Sequence, residues 1–141
     1  MNAYLDASAI IPILIEEPAS DAIDAFAADR AGSLVISDFT AAEVASALSI
    51  GARTGRLTQD TAMRYLADFD TWRAVMALEV DITSSDTRLA NIFVRRFDLM
   101  LRAPDALHAA ICQRTGHQLV TLDLRLASAA QALGLEVLIP A

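Results

Sequence analysis

Five short apolar runs, Ala3 to Leu5, Leu34 to Ile36, Leu78 to Ile82, Gln118 to Leu122 and Glu136 to Ile139, alternate with segments whose apolar residues recur at helical spacing. That alternation predicts an α/β fold with a parallel sheet. Helices are expected from about Ala19 to Ala31, Phe39 to Thr54, Thr58 to Ala77, Ser85 to Leu101, Pro104 to Thr115 and Leu124 to Leu133. Gly32, Gly55, Gly116 and Gly134 each follow such a stretch where a left-handed cap is wanted, Thr58 and Ser85 can cap helix starts, and Pro104 suits a first helical position. The two consecutive helices before the third strand form a helical arm. The scattered prolines Pro12, Pro18, Pro104 and Pro140 read as punctuation within one domain covering residues 1–141.

Composition narrows the classes. A chain of 141 residues that is 55% hydrophobic is too apolar for a disordered tail, and no apolar run approaches the ~20 residues that span a bilayer, so a soluble folded domain is expected. Asp6 lies within the first apolar stretch with no basic residue before it, which is not the charge order of a secretory signal. The single Cys112 cannot form an internal disulfide, and one Cys with two His offers no structural zinc set, so a reducing cytoplasm is the expected location. The net charge of −7 argues against nucleic-acid binding by bulk attraction. All 11 basic residues are arginine, which suits bidentate phosphate or carboxylate contacts, although a genome-wide bias that also enriches alanine is the plainer and preferred explanation.

A parallel sheet with right-handed crossovers places residues that follow strands, and residues that open the next helices, at one rim where ligands bind. Asp6 follows the first strand and Asp123 the fourth, while Asp105 opens the helix leading into the fourth strand. Glu43 lies one turn into the helix after the second strand, predicted inward on a face shared with Ala47. Four carboxylates in one small volume repel one another unless a cation intervenes. Oxygen-only ligands favour Mg²⁺ or Mn²⁺, and such an ion supports phosphodiester hydrolysis by activated water. Each acid also has a plainer reading: Asp6 can end a strand, Asp105 can favour a helix dipole, and Asp123 can cap the last helix. Ser8 and Thr121 flank the acids and can hydrogen-bond them or serve the turns.

Four segments carry a resemblance. Tyr4 to Ala9, Ser37 with Ala41 to Leu48, Arg102 to Ala110, and Leu119 to Asp123 resemble, in order, the four motifs of PIN-domain ribonucleases, and specifically the VapC-type toxins of bacterial toxin–antitoxin pairs. The resemblance runs almost end to end. It implies a three-layer α/β/α sandwich with a five-stranded parallel sheet, Mg²⁺ or Mn²⁺ dependence, RNA cleavage and inhibition by a cognate antitoxin protein. It assigns the catalytic and metal-holding roles to Asp6, Glu43, Asp105 and Asp123, with Ser8 and Thr121 as supporting hydroxyls. Some members carry a further acid after the fourth motif, and Leu124 to Leu135 contains none, which leaves the number of metal ions open. His108 and Cys112 read as packed structural residues.

A haloacid-dehalogenase-like phosphatase needs a second Asp two positions after its nucleophile, where this chain has Ser8, and a receiver domain needs a late lysine that the chain lacks. The rival of another class is a catalytically idle PIN-like module that binds a protein partner. Tyr65, Leu66, Phe69 and Trp72 form an apolar stripe that either docks into a second subunit or antitoxin or packs on its own core. The resemblance implies a homodimer, in which Arg53, Arg56 and Arg64 add positive charge for RNA approach.

Overall fold

A computed structural model describes all 141 residues. The five strands are β1 (Ala3–Leu5), β2 (Leu34–Ile36), β3 (Ala77–Glu79), β4 (Gln118–Val120) and β5 (Val137–Leu138). They form one fully parallel sheet in the order β3-β2-β1-β4-β5. The seven helices are α1 (Ala7–Leu14), α2 (Ser20–Asp29), α3 (Asp38–Arg53), α4 (Gln59–Met76), α5 (Ser84–Val94), α6 (Ala103–Thr115) and α7 (Leu124–Ala132).

Strand side chains alternate between two buried layers, as the period of two requires. Tyr4, Val35 and Leu119 point into a core closed by α5, α6 and α7. Ala3, Leu5, Leu34, Ile36 and Val120 point into a second core closed by α1 to α4. Both faces of the central strands are dry, which gives the expected α/β/α sandwich. The sheet reverses its direction of growth between β1 and β4, so the switch point lies where Asp6 and Asp123 emerge.

Several boundaries differ from those predicted. Helix α1 was not anticipated, because Pro12 sits inside it and removes one intrahelical donor. Burial of Ala9, Ile10 and Pro12 and the Asp6 cap overcome that weakness. The expected helix from Ser85 to Leu101 stops at Val94, followed by a 3₁₀ turn at Phe97–Leu99 and a left-handed Met100 at φ 53°. The apolar spacing runs on through Phe97 and Met100, yet both side chains stand in solvent while Leu101 turns into the core. Thr83, not Ser85, caps α5, in a reciprocal capping box with Asp86. The third strand begins one residue earlier than expected and ends at Glu79, because α4 runs directly into it. The fourth strand ends at Val120, so Thr121 and Leu122 intervene before Asp123, and the fifth is confined to Val137–Leu138. Gly32, Gly55, Gly116 and Gly134 all take positive φ, as the cap reading required.

The aromatic stripe on α4 packs inward. Phe69 is 2% exposed, and Tyr65, Leu66 and Trp72 lie against the same core. No helix is long and apolar enough to cross a membrane.

Candidate active site

Asp6 stands at the switch point and caps α1, its carboxylate accepting from the Ala9 amide. The side chain is buried, and its remaining bonds come from hydroxyls: Ser8 Oγ donates to Oδ1 at 2.7 Å, and Thr121 Oγ1 donates to Oδ2 at 2.7 Å. Ser8 also accepts from the Leu122 amide at 2.9 Å, and Thr121 from the Asp123 amide at 3.0 Å. The two supporting hydroxyls thus tie the end of β1 to the β4–α7 turn. Burial pushes the Asp6 carboxyl above the usual carboxylate range, against the opposing pull of these hydrogen bonds and of His108. The other buried carboxylate, Asp86, is neutralised by Arg114 at 2.7 Å. Asp6 has neutral donors alone in contact with it.

Glu43 is half-buried on α3 and meets Nε2 of His108 on α6. Nδ1 of the same ring lies 2.7 Å from the Tyr4 hydroxyl, which is also 2.8 Å from Ser37 Oγ. Thr40 donates to that hydroxyl at 3.3 Å and to the Leu5 carbonyl at 3.0 Å. Every buried side-chain polar atom of this network has a partner. Burial pushes the Tyr4 hydroxyl well above the usual tyrosine range, so it stays protonated at neutral pH. His108 is 1% exposed between Tyr4 and Phe39, in the structural role expected of it. Tyr4 and Thr40 were not singled out from the sequence. The available signal was a phenol inside an otherwise apolar strand, which must find a buried partner.

Asp105 lies in the first turn of α6, partly exposed, 3.5 Å from Arg102 Nε. Asp123 caps α7, its Oδ1 accepting from the Arg125 amide at 3.0 Å and the Leu126 amide at 3.3 Å. The capping reading of Asp123 and the dipole reading of Asp105 therefore hold in the structure beside any chemical role. Cys112 is buried on α6, and its thiol is pushed up to about 12 by the same desolvation, which leaves it inert.

Topology brings the carboxyl-bearing ends of β1, β2 and β4 and the start of α6 to one rim. No three acidic, His or Cys side chains are gathered closely enough in this conformation to hold a metal ion. In donor type the rim suits a hard divalent cation: it is oxygen-only, and it includes a buried carboxylate that no cation neutralises.

Residues 3–132 match the PIN domain family. The chain belongs to the PIN-domain family. Two curated relatives span its length: Ribonuclease VapC46 of Mycobacterium tuberculosis is 31% identical over 140 residues, covering 97% of this chain and 96% of that protein. Ribonuclease VapC3 of Pyrobaculum aerophilum is 32% identical over 133 residues, covering 94% of this chain and 98% of that protein. Among solved structures, DNA-bound VapBC from Salmonella typhimurium superposes with a TM-score of 0.75 at 15% identity, covering 98% of this PIN domain and 97% of that chain. VapC20 of Mycobacterium tuberculosis, described as a sarcin-ricin loop cleaving toxin, gives a TM-score of 0.71 at 14% identity, covering 91% and 95% of the two chains. At those identities the structural likeness carries the fold.

Proposed function

We propose that this chain is a single-domain endoribonuclease of the VapC type, the toxin of a toxin–antitoxin pair, acting in the cytoplasm as a homodimer held in check by a cognate antitoxin protein. The observation that carries the reading is Asp6: a buried carboxylate at the sheet's switch point, held by Ser8 and Thr121, with no cationic side chain in contact. Burial makes the charged form of such a group costly, and a bound cation would offset that cost. The curated relatives, named ribonucleases, support the same reading over nearly the whole chain.

Asp6, Asp105, Asp123 and Glu43 are the residues that would hold a divalent metal, Mg²⁺ with Mn²⁺ as a substitute. When bound, such an ion supplies Lewis acidity, lowering the pKa of water and offsetting charge on a phosphodiester. The protein's own contribution is positional. Ser8 and Thr121 fix the Asp6 carboxylate from both sides, and His108, held by Tyr4, fixes the reach of Glu43 across the rim.

An idle protein-binding module is the alternative, favoured by the spacing of the carboxylates in this conformation. The test is cleavage of tRNA, rRNA and mRNA pools by purified protein with Mg²⁺ or Mn²⁺ and with chelator. Metal-dependent cleavage lost in Asp6→Asn supports the nuclease, and no cleavage of any pool supports the module. Co-expression with the product of the adjacent reading frame tests the antitoxin, which should co-purify and suppress cleavage.

A further inference from the structure

Each acid of the rim has a partner within the chain, and the partners differ in charge. Asp6 is held by hydroxyls and an amide, Asp123 by two amides, and Glu43 by the His108 imidazole. Asp105 alone of the four touches a guanidinium, a group that keeps its charge at every physiological pH: Arg102 Nε donates to Oδ2 at 3.5 Å. That contact is the only hydrogen bond the Asp105 carboxylate makes, although its side chain is just 16% exposed.

The pair is built loosely. Arg73 grips Glu79 through two nitrogens at 2.6 and 2.9 Å, and Arg114 grips Asp86 through two at 2.7 and 3.0 Å, the bidentate geometry that makes arginine a strong partner. Arg102 offers Asp105 a single nitrogen at the outer limit of a hydrogen bond, from a side chain that is 73% exposed. Its backbone, by contrast, is fixed. Leu101 is anchored in the core on one side, Pro104 locks the first turn of α6 on the other, and Arg102 is the extended N-cap residue with no side-chain bond to the helix. The guanidinium is therefore free to swing away by side-chain rotation alone, without moving α6.

Four carboxylates that are not gathered closely enough to hold an ion must shift before one is bound, and Asp105 cannot serve a guanidinium and a divalent ion together without repulsion between the two cations. The competition is unequal. An exposed single-point pair contributes little, whereas a divalent ion brings twice the charge to the same oxygen at a shorter distance.

We propose that Arg102 is a built-in competitor for divalent metal at Asp105: its guanidinium occupies the carboxylate while the rim is unloaded and withdraws on loading, so that the rim loads at a higher metal concentration than its acids alone would need. The inference rests on the metal-dependent nuclease reading and adds a control to it.

The experiment is calorimetric titration of Mn²⁺ into full-length, metal-stripped protein at low ionic strength, with RNA cleavage followed separately. Arg102→Gln, which keeps a long polar side chain and removes the charge, should bind Mn²⁺ about fivefold more tightly than the parent, a change at the upper end of what an exposed ion pair contributes. Arg102→Lys, which keeps the charge, should stay within about twofold of the parent. The gain in Arg102→Gln should fade as salt is raised, because the guanidinium is exposed and screened. Melting temperatures in chelator should match the parent for both variants, since Arg102 gives α6 no side-chain cap. Equal Mn²⁺ affinity in parent and Arg102→Gln, or the same tightening in Arg102→Lys, overturns the competitor and leaves the metal site standing. Weaker binding in Arg102→Gln overturns it too, by making the guanidinium a helper. Tighter Mn²⁺ binding by Arg102→Gln, with no RNA cleaved by the parent, upholds the competitor and removes the nuclease reading, whereas no Mn²⁺ binding by either protein removes both.

Discussion

The hydroxyl of Tyr4 lies 2.7 Å from Nδ1 of His108, and the opposite nitrogen of that ring meets Glu43. A residue in the central strand thereby sets the position of a carboxylate at the rim, through an imidazole that solvent does not reach. Buried polar chains of this kind leave each member unsatisfied when one is removed.

Tyr4→Phe should therefore lower stability by about 1–2 kcal/mol, the cost of leaving Ser37, Thr40 and His108 short of a partner. Differential scanning calorimetry reads this directly. RNA cleavage should fall further than the stability loss explains, because Glu43 loses its fixed orientation. A variant with unchanged melting and unchanged cleavage would show the network to be incidental.

Asp6→Asn should abolish cleavage while keeping or raising stability without metal. Burial holds the Asp6 pKa above its unfolded value of about 3.9, so over the window just above that value the native state keeps a proton that the unfolded state has lost. Metal-free stability therefore falls as pH rises through that window, and the loss persists at pH 7. Asparagine removes it. Millimolar Mg²⁺ should raise the melting temperature of the wild type and leave that of Asp6→Asn unmoved.

The two roles of Asp123 separate by substitution. Asn is as good a cap as Asp, so Asp123→Asn should leave thermal stability within about 0.5 kcal/mol, whereas Asp123→Ala should cost about 1 kcal/mol through loss of the bonds from Arg125 and Leu126. Both should lose cleavage. Retained activity in Asp123→Asn would reduce the residue to its cap.

Asp86 offers a test with the opposite sign in pH. Burial alone would push its carboxyl up, but the Arg114 guanidinium and the Thr83 amide outweigh this and hold it below the usual range. Its contribution is present above the unfolded pKa of about 3.9 and is lost as pH falls toward the depressed folded value. Asp86→Ala should cost about 3 kcal/mol at pH 7, by loss of the ion pair and the capping box, and should flatten the acid limb of the stability curve. Urea titrations at pH 7 and below pH 4 measure both.

Phe69→Ala should cost about 3–5 kcal/mol, since the side chain is a core member at 2% exposure. If α4 were instead a docking face, the same change would alter association by light scattering and spare stability.

The sequence by itself determined the α/β class, the parallel sheet and the rim on which Asp6, Glu43, Asp105 and Asp123 fall. These follow from short-range signals: the alternation of apolar periods, left-handed glycines such as Gly116 at φ 74°, and capping residues such as Thr58. It missed α1 because Pro12 is a poor helix residue locally, and burial of Ile10 against the sheet decides the matter. It ran α5 on to Leu101 because apolar spacing does not record which side chains reach the core, and here Leu101 does while Phe97 does not. The tertiary structure alone decided that Thr121 joins Ser8 on the same Asp6 carboxylate and that His108 joins Tyr4 to Glu43. Ser8 lies 113 residues from Thr121, Tyr4 104 from His108 and His108 65 from Glu43, so that no local pattern links those pairs. Their meeting is set by strand order and register, with Tyr4 beside Leu119 and Val35, and those are fixed only when both cores close on the sheet.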